Sequence, residues 1–270
     1  MRNYGFGNGG AGSAGQGRHE QAEGRALARS GAASARSGAA RRAIAAAASA
    51  ILATALAGAT SIATAADPSE YSEAERQLFV RPHLAAVTPP SRLHYRYERT
   101  GTLESEVSDH ATLTLGEDAG ARTATVEFLS GERKLELPEV AYVDGNPIIL
   151  HFLEREVREL KRLTGGAVGF YRNRIRKALA GDAKVRETEV NYNGRTVKAT
   201  EIRIDPYVDD PVRSRFEKFA DRYYVMVLSA EVPGEVYQLK AESSGPAQGP
   251  QAGKALLGEV LTFERQDNAR

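Results

Sequence analysis

The sequence predicts an α+β protein: a curved antiparallel β-sheet or half-barrel covered by two inserted central helices. Three observations carry this. From Leu93 onward, apolar and polar residues alternate in a series of short segments. Between Pro147 and Leu179 the period becomes helical, and from Lys184 to Phe263 the alternation resumes. A sheet of this pattern has one apolar face to bury, and amphipathic helices are its natural cover.

The elements follow in order. Ser69, Glu70 and Glu73 precede a short helical pattern around 74–79, and Pro82, Pro89 and Pro90 then keep the chain extended. Leu93, Tyr95 and Tyr97 alternate with His94, Arg96 and Glu98, as in a half-buried strand. Residues 111–115, 123–129 and 134–137 complete a meander that Asp144-Gly145 closes. Asn146 suits a helix N-cap and Pro147 the first helical position, where no amide donor is needed. Ile149, Leu153, Val157, Leu160 and Leu163 then share one apolar face, and Arg155 and Glu159 are spaced for a surface i,i+4 pair. Gly165-Gly166 ends this helix, near 147–163. A second, near 168–179, turns Tyr171, Ile175 and Ala178 inward and stops at Gly181. Strands at 184–192 and 196–204 flank the hairpin dipeptide Asn193-Gly194. A short helix at 212–222 and strands at 223–228, 235–241 and 256–263 finish the chain, the last two joined by the Gly- and Pro-rich loop 243–253.

The first 66 residues have a different character. Residues 1–40 are mostly Gly, Ala, Ser and Arg and cannot bury a core, so they read as a disordered leader or as lying ahead of the true start. Arg41-Arg42 and the uncharged run 43–66 have the form of a secretory signal, and Ala63-Thr64-Ala65 fits small-x-small cleavage. The alternative is an uncleaved inner-membrane anchor, since 24 residues can span a bilayer. The expected organisation is a signal segment at 41–66, an extended lead-in at 67–90 and one β-rich domain at 91–270, with a periplasmic address. The chain has no cysteine, which excludes disulfides, thiol chemistry and a lipid-bearing N-terminal cysteine. The leader and signal hold seven Arg and two Glu. Their removal leaves 29 basic against 33 acidic residues, a net charge of −4 with no dominant basic character for nucleic acid.

No motif announces catalysis. His83, His94, His110 and His151 are scattered, without metal-ligand spacing or a partnered base, so no metal, cofactor or enzymatic activity is expected. Asp205, Asp209 and Asp210 form an acidic loop whose spacing matches no calcium loop. His151, early in the first helix, is expected to be solvated or in contact with the cap region. The one concentration of charge is helical: eight basic and three acidic residues lie between Asn146 and Gly181. Two readings stand. One is a solvated face. The other is an anion- or headgroup-facing rim of Arg155, Arg158, Arg162, Tyr171, Arg172 and Arg176.

The stretches NPIILHFLEREVRELKRLTGG, YRNRIRKAL and Val232-Pro233-Gly234 resemble those of exported proteobacterial proteins. The arrangement from about Leu93 to Phe263, a curved sheet with helices inserted mid-sheet, resembles the LolA/LolB-like carriers in architecture. That resemblance implies an incomplete barrel closed by helices around acyl chains, and hence a non-enzymatic protein binding a lipid or lipid-modified ligand. The rival expectation is an envelope scaffold or assembly factor that binds another protein. A carrier calls for a roomy apolar cavity between sheet and helices, and a scaffold for close packing there.

Overall fold

The computed structural model describes residues 70–135, 140–141 and 144–268. The leader and signal segment assigned above lie outside the described residues. Among these residues, no helix is long and apolar enough to cross a membrane.

Among the described residues, nine antiparallel strands form one sheet: β1 (Ser91–Gly101), β2 (Val107–Asp118), β3 (Ala121–Phe128), β4 (Val140–Ala141), β5 (Lys184–Tyr192), β6 (Arg195–Ile204), β7 (Tyr223–Leu228), β8 (Val236–Ser243) and β9 (Leu257–Asn268). Their spatial order is β4-β3-β2-β1-β9-β8-β7-β6-β5. Two meanders, one from each half of the chain, are therefore stitched together by the β1–β9 pair, with Tyr97 opposite Leu261. The helices α2 (Ile148–Thr164) and α3 (Val168–Gly181) connect β4 at one edge to β5 at the other. Any such connection must cross the sheet, and it does so on the apolar face.

Local chemistry explains these elements. Ser91, Leu93, Tyr95 and Tyr97 of β1 are buried while Arg92 and Arg96 are exposed, the two-residue period of a strand with one wet face. Asn193 (φ 52°) and Gly194 (φ 76°) turn the β5–β6 hairpin through two left-handed residues, which matches the twist of its strands. The helix α2 begins at Ile148, and the Asn146 carboxamide oxygen accepts the Ile148 N–H at 3.1 Å, so the cap expected from the sequence is made. Gly165 ends α2 at φ 73°, a left-handed closure that glycine adopts without strain.

Two segments depart from expectation, and a third lies partly outside the described residues. The lead-in helix is a single α turn, α1 (Glu73–Glu75), that loosens into a π-helix over Arg76–Val80. Ser72 and Glu75 form a capping box there, and Ser72 Oγ also donates to the Leu179 carbonyl, clamping the lead-in to α3. Of the strand expected at 134–137, only 134–135 lie among the described residues: Leu135 bridges Phe128 after a 3₁₀ turn at Gly131–Arg133. The helix expected at 212–222 is a pair of 3₁₀ turns over Arg213–Phe219, broken at Phe216, whose ring turns into the core.

The core lies between the concave face of the sheet and the helices. Tyr95, Tyr97, Leu93, Leu113, Phe128 and Leu261 fill it from the sheet, and Ile148, Ile149, Phe152 and Val157 from α2. Tyr192 at the tip of the β5–β6 hairpin reaches Phe263 on β9, with ring centroids 6.1 Å apart, and Phe263 meets Tyr95 edge-on at 5.6 Å. The first of these contacts reaches between non-adjacent strands, as the curvature of a half-barrel allows.

Candidate functional site

The face of α2 that meets the sheet is not wholly apolar. Arg155 and Glu156 share it with Phe152, Val157 and Leu160, and all five are buried. Glu156 accepts two bonds from Arg222, which follows the 3₁₀ turns: Nε at 3.0 Å and Nη2 at 2.6 Å. The same Nη2 donates to Glu259 Oε2 on β9 at 2.8 Å, and Nη1 reaches Ser243 Oγ and the Leu257 carbonyl, each at 3.2 Å. The other Glu259 oxygen accepts from Arg155 Nη1 and from the Tyr97 hydroxyl, both at 2.5 Å. The Arg155 guanidinium also lies over the Tyr97 ring, 5.0 Å from its centroid. Two guanidiniums, two carboxyls, a phenol and a serine thus tie α2 to β1, β8, β9 and the 219–222 turn, deep in the core.

The electrostatics of this cluster are uneven. Burial works to raise the Glu259 carboxyl, but its contacts with Glu156, Arg155, Arg222 and Tyr97 together prevail and hold it at about 2. Glu156 goes the other way. Burial and the neighbouring Glu259 charge drive it well above the usual carboxylate range, against the pull of Arg222. Burial next to Glu259 also pushes the Tyr97 hydroxyl upward, so it remains a donor. Paired carboxyls with separated affinities for a proton can act as an acid and a base. Here both are fully buried, without a path to a reactant, and the arrangement pins a helix to a sheet.

The rim residues expected from the sequence separate into two groups. Arg155 is a correction: it is buried on Glu259, so it neither faces headgroups nor makes the expected surface pair with Glu159, which instead binds Arg162 at 2.6 Å. Tyr171 is a second correction. Its ring is 2% exposed among Phe170, Tyr207 and Phe216, and its hydroxyl lies 2.5 Å from Thr164 Oγ1. In both cases an apolar stem and a satisfied polar tip favour the interior. Of the other four, Arg158 and Arg172 meet at one acid, and Arg162 and Arg176 have separate partners. Glu154 binds Arg172 at 2.8 Å and Arg158 at 3.3 Å, and Arg162 joins Glu159 and Glu104. Arg176 is exposed and bonds to Asn173 at 3.2 Å. Much of the basic charge in the sequence is thereby answered by acids.

The remaining candidates are structural. His151 is buried rather than solvated; Nδ1 lies 3.0 Å from the Pro147 carbonyl and the ring stacks on Phe128. Asp205 pairs with Arg203 at 2.6 Å and Asp210 with Arg174 at 2.5 Å, so two of the acidic trio are spoken for by arginines. Two open clefts, of about 370 and 450 Å³, lie at the margins of the fold: one near Arg81, Glu187, Lys198 and Leu228, the other near Arg213, Lys218 and Pro246. Neither lies between α2 and the sheet.

Sequence reasoning missed Glu259, Arg222 and Tyr97. Two signals were present, and one is the inward phase that Tyr97 shares with Leu93 and Tyr95. Glu259 falls in phase with Leu257, Leu261 and Phe263, an acid at an inward position of β9. Arg222 had none, because its position is set by the broken 3₁₀ segment.

No family model and no curated protein matches the chain. Solved structures do. The lipoprotein LppX of Mycobacterium tuberculosis is similar at 9% identity over 66% of this chain and 87% of that one, with a TM-score of 0.29. A LolA superfamily protein of Nitrosomonas europaea is similar at 10% identity over 68% and 88%, with a TM-score of 0.19. A putative outer membrane lipoprotein-sorting protein domain of Vibrio parahaemolyticus is similar at 9% identity over 66% and 84%, with a TM-score of 0.20. The likeness is one of architecture alone.

Proposed function

We propose that the chain is a non-enzymatic binding protein of the cell envelope, exported to the periplasm and soluble there once the signal segment is removed. It takes the apolar chain of a lipid or of a lipid-modified protein between α2–α3 and the sheet. The observation that supports this is the polar seating of α2 on an otherwise apolar face. Lifting a purely apolar helix exposes its whole face to water at about 25 cal/mol per Å². Lifting α2 also rehydrates two guanidiniums and two carboxyls, which returns part of the cost of having buried them. The cost of lifting α2 is thereby lower than for a wholly apolar seat of the same area, and beneath the helix lie Leu93, Tyr95, Leu113 and Phe128. In this reading Arg158, Arg162, Arg172 and Arg176 face anionic headgroups when the protein docks on a membrane.

The filled layer between sheet and helices favours a second reading, a scaffold whose sheet supports a protein-binding surface. Native mass spectrometry of protein isolated from the periplasm, followed by titration with a fluorescent fatty acid, separates the two. Co-purifying lipid or saturable uptake is expected. Protein at its apo mass with no uptake overturns the carrier reading and leaves the scaffold. For the rim, the double variant Arg172→Glu, Arg176→Glu is expected to sediment less with anionic liposomes, and undiminished sedimentation removes that role.

A further inference from the structure

His83 joins four parts of the fold. It is 1% exposed and both ring nitrogens are engaged. The Asn146 N–H points at Nδ1, 3.2 Å away, so Nδ1 must hold the lone pair and Nε2 the proton, which it donates to the Gln77 carbonyl at 2.7 Å. Asn146 in turn caps α2 through Ile148 N–H and donates its side-chain amide to the Tyr95 hydroxyl and the Gly234 carbonyl, each at 2.9 Å. The neutral imidazole thus positions the residue from which α2 starts. A second proton has no place here. Added at Nδ1, it would set two donors against each other in a buried site, and Asn146 could not stay where it is.

The surroundings do not rescue the cation. The charged groups facing His83 are Arg81, at the end of the π-helix, and Glu235, in the β7–β8 turn, and they are bound to each other. Asp144, just before Asn146, contributes its main-chain carbonyl, to Leu84 N–H, and its side chain is exposed. Burial therefore dominates and lowers the affinity of His83 for a proton. His151, one turn into α2, is also buried, with its affinity lowered by burial, and its Nε2 has no partner among the described residues. The far half of α2 is different. It is fixed by Arg155 and Glu156 to Arg222 and Glu259, and the Glu259 carboxylate persists to about 2.

We propose that the start of α2 is an acid-operated hinge. Protonation of His83 at Nδ1 expels Asn146 and frees the first turns of the helix, while the Arg155–Glu259 end stays attached. This does not depend on what the layer beneath α2 binds.

The test is amide hydrogen exchange of the whole protein from pH 7 to pH 4.5, expressed as protection factors corrected for intrinsic rates, with the histidine ring protons followed by NMR. Protection at residues 148–153 is expected to fall below pH 6.5 by about tenfold per pH unit for each histidine protonated only in the open form. Residues 157–163 and the β1–β9 pair should stay protected, and the His83 ring followed by NMR should remain neutral while the slope at 148–153 develops, because the closed form does not take the proton. In His83→Asn, which offers an oxygen near the Nδ1 position and cannot titrate, the slope should be about tenfold per unit shallower. Protection at 148–153 that survives to pH 4.5 overturns the hinge, as does its loss together with 157–163. An unchanged slope in a folded His83→Asn does so as well. If that variant fails to fold, a wild-type His83 ring that becomes protonated while 148–153 stay protected has the same force.

Discussion

Arg222 places two nitrogens, Nε and Nη2, on a single oxygen of Glu156, at 3.0 and 2.6 Å, with the arginine side chain 1% and the glutamate 0% exposed. This pair joins the middle of α2 to a turn 66 residues away. Without Glu156, Arg222 keeps Glu259, Ser243 and the Leu257 carbonyl, whereas Glu156 without Arg222 loses both of the bonds it accepts at 3.0 and 2.6 Å. Arg222→Met is expected to cost about 3–5 kcal/mol in urea unfolding. Adding Glu156→Leu should recover part of that loss, because a buried carboxyl then disappears with its partner. A double variant worse than the sum of the single ones would show that the pair is not a unit.

The two carboxyls should respond differently to neutralisation. Glu259 has Arg155, Arg222 and Tyr97 as partners, whereas Glu156 already favours its protonated form. Glu259→Gln is expected to cost about 3–5 kcal/mol at pH 7, and Glu156→Gln clearly less, since its amide oxygen still accepts from Arg222. The pH dependence follows from the directions. The depressed Glu259 contributes stability that is present above 4.5 and lost as pH falls towards its value of about 2. The raised Glu156 contributes stability present below 4.5 and lost as pH rises through its folded value. Urea midpoints between pH 5 and pH 2.5 should therefore fall less steeply in Glu259→Gln than in the wild type. Parallel curves would remove Glu259 from the account.

Gly101 ends β1 at φ 135°, and a Cβ there would sit 2.5 Å from the Leu256 carbonyl oxygen. Gly101→Ala therefore meets both a disfavoured backbone conformation and a main-chain clash, at the end of the β1–β9 pair that unites the two meanders. The expected loss is about 2–4 kcal/mol of unfolding free energy, and a loss below about 0.5 kcal/mol would mean that the β1 end relaxes freely.

Much of this architecture was legible because it rests on local periodicity. Leu93, Tyr95 and Tyr97 alternate with polar neighbours, Asn193-Gly194 demands a tight hairpin, and Asn146 and Gly165 bracket an apolar stripe of helical spacing. Each of these is a short-range signal, and each element formed where it lies. The segment at 212–222 was less faithful, since its helix is a pair of 3₁₀ turns broken at Phe216.

What the sequence determined, then, was the inventory: the strands of two meanders, two covering helices and one apolar face to be covered. Only the tertiary structure decided which charges went inside. Arg155 and Arg158 are both arginines of one helix, three residues apart; one is buried on Glu259 and the other lies on the surface beside Glu154. Helical phase alone does not separate them, because an arginine stem packs equally well on apolar surface or at a solvent edge. The choice belongs to Glu259 and Tyr97, more than a hundred and more than fifty residues distant in sequence, which the pairing of β1 with β9 sets side by side at Arg155.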